Sequence, residues 1–226
     1  MDSEGKKYSG KELWSIGIAT ILVVAAIFLV ALFKTNEIPS ENINTSDWET
    51  YESPEFNFSI RYPKDWQISE FPENPISPTF NIYPKNITDD PPFNHFNLIP
   101  NVSIFPQGVP TEGVIGTNVP SDIIFSEETN RAIDFLMENG KSWATYTSFL
   151  NLPKNWSSDG FVWARVKITD FSVSCERDGR EINLTECNTF TGHDHYIYRG
   201  ETDEEVRKIE EAMLKSFKFL KETNNQ

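Results

Sequence analysis

The twenty-one residues from Leu13 to Phe33, LWSIGIATILVVAAIFLVALF, carry no charged side chain. As an α-helix this run would be about 30 Å long, the thickness of a bilayer's hydrocarbon core. It is therefore expected to cross a membrane once. A cleaved signal peptide also starts basic and turns apolar, but its apolar part is about 7–15 residues long and ends in small residues at the cut. Here Leu32, Phe33 and Lys34 follow Ala31, Val23-Val24-Ala25 lies in mid-run, and no cysteine follows for lipoprotein processing. A buried core helix is disfavoured by the length. Lys6, Lys7 and Lys11 precede the run, whereas Lys34 stands alone beyond it until Arg61. Basic flanks stay on the cytoplasmic side, so the N-terminus is expected inside and the rest of the chain outside.

These flanks imply a division of the chain. Residues 1–12 read as a cytoplasmic tail, 13–33 as the transmembrane helix, 34–50 as a polar linker, 51–221 as an extracytoplasmic domain and 222–226 as a tail. The N-terminal 33 residues balance three lysines against three acids, so the formal net charge of −14 belongs to the remainder. That excess repels phosphate, and nucleic acid is not an expected partner. The expected partners are the lipid bilayer through residues 13–33 and, for the outer domain, an envelope protein or a small ligand. Seventeen Phe and six Trp give the outer part enough apolar mass to fold.

Period-two alternation marks strands at Phe56 to Tyr62, around Phe80–Tyr83 and Val102–Phe105, at Trp143 to Leu150, and from Phe161 to Val173. In the last of these, Val162, Ala164, Val166 and Ile168 share a face opposite Trp163, Arg165 and Lys167. Residues 71–120 hold ten of the fourteen prolines and should be largely loop, with short or edge strands. Within them Gln107 to Gly113 reads as a shaped loop. Pro63-Lys64-Asp65-Trp66 and Pro153-Lys154-Asn155-Trp156 share one turn chemistry rather than a repeat. Ala132, Ile133, Leu136 and Met137 lie at helical spacing before Gly140, which predicts a helix over 127–139. A second helix follows Thr202-Asp203-Glu204-Glu205, a capping box, with Val206, Ile209 and Met213 on its apolar side.

Tyr51, with Pro54 to Trp66 (PEFNFSIRYPKDW), resembles the opening of small extracytoplasmic domains of the PsbP/Mog1-like class, and the C-terminal helix running into Leu214 to Phe219 is similar to their ends. The resemblance covers roughly thirty residues. It implies an α+β fold, an antiparallel sheet flanked by helices, and it implies no catalytic residue.

Cys175 and Cys187 are the two cysteines, and they flank Asp178-Gly179, a strong hairpin signal. Beyond a membrane, a disulfide between them is the preferred reading, formed across the paired strands. Two unpaired buried thiols are the alternative. His193-Asp194-His195 is the one cluster of metal-ligand residue types, and with a third ligand such as His95 it would make a metal-dependent hydrolase the rival to a binding module. No cofactor fingerprint, nucleophile elbow, zinc-protease motif or phosphate loop is present, so no cofactor and no catalytic residue is assigned. Trp143, Tyr146, Trp156 and Trp163 suit either an aromatic platform or a core. Asn-x-Ser/Thr sequons stand at Asn44, Asn57, Asn86, Asn101, Asn155 and Asn183; Asn86, Asn101, Asn155 and Asn183 are the candidate glycosylation sites.

Overall fold

A computed structural model describes residues 43–71, 77–87, 99–109, 117–123, 129–189 and 192–221. The compact unit that starts at Ile43 holds all of them. Residues 1–42, with the predicted transmembrane helix 13–33, and His95 lie outside the described residues. Among the described residues no helix is long and apolar enough to cross a membrane.

Of the strand expected over Phe56 to Tyr62, Phe58 to Tyr62 is extended, while Phe56 and Asn57 belong to the turn before it. Asn57 takes a left-handed φ of 51° in a turn, and β2 (Phe58–Tyr62) pairs with β1 (Glu49–Ser53) and with β13 (Lys218–Phe219). The fold thus starts inside the expected linker, because Glu49 and Thr50 already belong to β1 and Trp48 packs on the core. Both Pro-Lys-x-Trp segments are turns of one kind: the Trp66 amide donates to Pro63 O at 3.0 Å and the Trp156 amide to Pro153 O at 2.9 Å. Each turn delivers its tryptophan into the core.

The central element is a seven-stranded antiparallel sheet. In spatial order it runs β3 (Trp66–Phe71), β4 (Thr79–Pro84), β5 (Asn101–Phe105), β9 (Phe161–Arg165), β8 (Ser142–Phe149), β7 (Thr129–Leu136) and β6 (Asn118–Pro120). The proline-rich stretch therefore supplies two interior strands, β4 and β5. Of its prolines only Pro84, the last residue of β4, and Pro120, in the edge strand β6, stand in strands among the described residues, at positions where no ladder donor is lost. A third sheet joins β11 (Arg180–Ile182), β10 (Ile168–Arg177) and β12 (Asp194–Thr202). Helix α1 (Glu204–Ser216) packs on the first two sheets, burying Met213 and Leu214 with Phe58, Ile60, Phe80, Ile82, Val102 and Ile104. A smaller core gathers Phe135, Met137, Trp143, Ala144, Val166 and Ile168.

Four expectations are corrected. The fold is not α+β with flanking helices. It is β-rich, three antiparallel sheets with the single α-helix α1 and one short 3-10 turn among the described residues. Of the residues expected to be helical over 127–139, Thr129 to Leu136 form strand β7 instead. Ile133, Phe135 and Met137 also fit period two, and β8 alongside offers pairing along almost the whole strand, so tertiary pairing overrides the helical spacing. The expected strand Phe161 to Val173 breaks at Val166-Lys167 into β9 and β10, which belong to different sheets. The cap of α1 is Asp203 rather than Thr202, its Oδ1 accepting from the amides of Glu205 and Val206 at 3.0 and 3.2 Å, while Thr202 ends β12.

Candidate functional site

Strand register builds the most unusual part of the molecule. Asn81 stands opposite Ser103, and Asn101 opposite Arg165, so four polar residues share one face of β4, β5 and β9. Ser103 Oγ donates to Asn81 Oδ1 at 2.8 Å, Asn101 Nδ2 donates to Ser103 Oγ at 2.9 Å, and Arg165 Nε donates to Asn101 Oδ1 at 3.2 Å. All four side chains are buried, Arg165 to 2 % exposure. A guanidinium taken out of water at this depth needs compensation. Part of it is electrostatic and comes from α1, whose Glu210 is 3 % exposed and acts on Arg165 through charge.

Glu210 accepts from the Asn101 backbone N–H, but its Oε1 has no hydrogen-bond partner among the described residues. Burial pushes its carboxyl well above the ordinary value; Arg165, the Asn101 amide and Arg207 pull it back only in part. Burial likewise lowers the Arg165 guanidinium to about 10, with Glu210 opposing the shift. Arg165 is thus still cationic at neutral pH. Beside the carboxyl, between α1 and strands β8 and β9, lies a cavity of about 10 Å³ lined by Glu210, Trp143, Thr145, Ala164, Arg207 and Leu214. Its rim is held by Arg207, which bonds Glu204 at 2.9 Å and also pairs with Glu211.

A second carboxylate is buried in the third sheet under different terms. Asp178 (φ 51°) and Gly179 (φ 76°) make the two-residue turn between β10 and β11, as the sequence implies. Cys175 is bonded to Cys187 with Cα atoms 5.9 Å apart. The bridge does not cross the hairpin, however. Cys175 faces Ile182 in register, and Cys187 follows the 3-10 turn Leu184–Glu186, so the disulfide fastens that turn to β10. Next to it Asp194 accepts from Arg177 Nε and Nη2, both at 2.6 Å, and from the Asn188 amide at 2.7 Å. The Arg177 hydrogen bonds, then the Asn188 amide, hold its carboxyl down to about 2.

That geometry disperses the candidate metal cluster. Asp194 is occupied by Arg177 and Asn188, His195 Nε2 lies 3.3 Å from Glu176 Oε1, and His193 is exposed. Ligand atoms of Cys175, Cys187 and Asp194 lie within 4.8 Å of one another, but the two sulfurs are spent on each other. The aromatic candidates are divided as well. Trp156 enters the first core with its Nε1 donating to Phe56 O at 2.7 Å, whereas Trp143, Tyr146 and Trp163 pack with Phe135 and Phe161 on the second. Of the sequons, Asn44, Asn86 and Asn183 are exposed, and Asn183 Oδ1 caps the 3-10 turn. The Asn155 side chain is exposed but its Nδ2 is bonded to Glu55 O, Asn57 is half-buried, and Asn101 is wholly buried inside β5.

Sequence reasoning did not single out Arg165 as a buried cation, nor Glu210 at all. A signal for Glu210 was present: it stands four residues from both Val206 and Leu214, in a slot on the apolar side of α1. Compared with known protein families, curated proteins and solved structures, this chain matches none.

Proposed function

We propose that the protein is a single-pass membrane protein, N-terminus inside, that presents residues 43–221 outside the membrane as a binding or accessory module for an envelope protein or a small ligand. The observation that carries this reading is the Cys175–Cys187 disulfide in a chain that also carries the uncharged run Leu13 to Phe33. A disulfide persists in an oxidising compartment, and a run preceded by Lys6, Lys7 and Lys11 directs what comes after it out of the cytoplasm. The PsbP/Mog1-like resemblance of Pro54 to Trp66 belongs to the same reading. Asp194 is already saturated by protein donors, which argues for a structural rather than a hydrolytic role for the His193 to His195 segment.

The test is fractionation of cells expressing the full chain, with protease added from outside and alkylation of thiols before any reductant. The expected result is a membrane-bound protein whose outer domain is digested externally and whose two cysteines resist alkylation; Leu22→Lys should release it from the membrane fraction. Recovery in the cytosol with both thiols alkylated would overturn the reading. Crosslinking in intact membranes then asks whether the module has a constant protein companion.

A further inference from the structure

We infer that the cavity beneath α1 is a binding site for one ordered water molecule, which donates a hydrogen bond to Glu210 Oε1. Three observations meet there. The carboxyl is 3 % exposed, and one of its oxygens lacks any protein donor among the described residues. A buried polar atom left in that state carries its full desolvation cost, so a donor that can enter will. The space beside it, about 10 Å³, is the size of one water and too small for an organic ligand.

The identity of the occupant follows from charge. Arg165 and Arg207 both act on the Glu210 carboxyl already, so a metal cation would be a third positive charge on a single carboxylate. A neutral donor satisfies Oε1 without that repulsion. A buried water also needs two to four polar partners. Thr145 lines the same space; its Oγ1 spends its proton on Asp134 Oδ1 at 2.6 Å and keeps lone pairs that can accept from the water. Arg207 commits Nε and Nη1 to Glu204 and Glu211 and retains further donors toward the cavity it lines. The occupant thereby joins α1 to β8, where Ala144, Ala164 and Val166 supply apolar walls.

The inference does not depend on the membrane reading and is tested separately. Crystals of the full chain in detergent, diffracting well enough to place ordered solvent, should show one density at hydrogen-bond distance from Glu210 Oε1. Glu210→Gln keeps the volume and an acceptor and should retain that density. Glu210→Met removes both oxygens and should lose it. A dry cavity in the natural protein, a density with the short multiple contacts of a metal ion, or a water that persists unchanged in Glu210→Met would each overturn the assignment. Should Glu210→Met fail to fold, the natural protein and Glu210→Gln still decide the outcome, because dry cavities in both refute it.

Discussion

Glu210 and Asp194 are both buried carboxylates with an arginine at hand, yet their protons are held in opposite ways. Asp194 sits at the edge of the third sheet, where Arg177 reaches it in a two-pronged contact from a partly solvated position and Asn188 adds an amide. Every contact favours the charged form, and the carboxyl falls to about 2. Glu210 feels the charge of an arginine that is itself buried, receives one amide, and has an oxygen without a hydrogen-bond partner among the described residues. Here desolvation outweighs attraction. A nearby opposite charge therefore does not by itself set the direction of a pKa. What decides is whether the hydrogen bonds to the charged form are complete, and whether the partner has also been stripped of water.

The largest effect should come from splitting the pair that depends on mutual compensation. Arg165→Met removes the largest positive charge acting on Glu210 and the Arg165 hydrogen bond to Asn101 Oδ1, and should destabilise the protein by about 3–5 kcal/mol in denaturant unfolding, the range for leaving a buried charge uncompensated. Arg165→Met combined with Glu210→Leu removes both charges and should recover most of that loss. An additive double variant would show that the two groups do not compensate each other. Next in size is the covalent tie beside Asp194. Cys175→Ser with Cys187→Ser opens a loop of sequence separation 12 and should cost about 3 kcal/mol on the loop-entropy estimate. Asp194→Ala should then hurt more in the disulfide-free background than in the bridged one, because Asp194 and the disulfide fasten the same segment; equal losses in both backgrounds would separate the two ties.

Why one of these regions was legible and the other was not follows from the kind of signal each leaves. The hairpin at Asp178-Gly179, the disulfide partners and the two Pro-Lys-x-Trp turns are local matters of backbone chemistry, and turn residues announce them. Strands β2, β8 and β9 announce themselves by alternation. Alternation also misleads, since Asn101-Val-Ser-Ile-Phe105 reads as a strand with one wet face, whereas all five residues are buried and the polar ones bond to one another. Burial of a polar face is decided by what lies across it, which strand period cannot report. Similarly, Ala132 to Met137 fits two periods, and only the presence of β8 selects the strand. Glu210 looks like one acid among many in EEVRKIEEAMLKS until the helix is docked.

The smallest effects are the pH dependences, and their opposite signs give the finest check on the comparison. Asp194 has a folded value near 2 against an ordinary 3.8, so its contribution is present above that ordinary value and is lost as pH falls toward 2. Glu210 has a folded value raised above 4.5, so its contribution is complete below 4.5 and is lost as pH rises through the raised value. Asp194→Asn should therefore flatten the acid limb of a curve of unfolding free energy against pH, and Glu210→Gln should flatten the decline above pH 4.5. Because 34 acidic side chains titrate in the same chain, the quantity to compare is each variant's difference from the natural protein at every pH. The groups that bear on the Glu210 difference are Arg165 from β9, the Asn101 amide from β5 and Arg207 from its own helix. Arg165 stays protonated throughout this range, with its value near 10, so it cannot itself produce the slope. A Glu210→Gln curve parallel to the natural one above pH 4.5 would mean that the carboxyl titrates normally, and that the contrast with Asp194 lies in geometry without a consequence for protons.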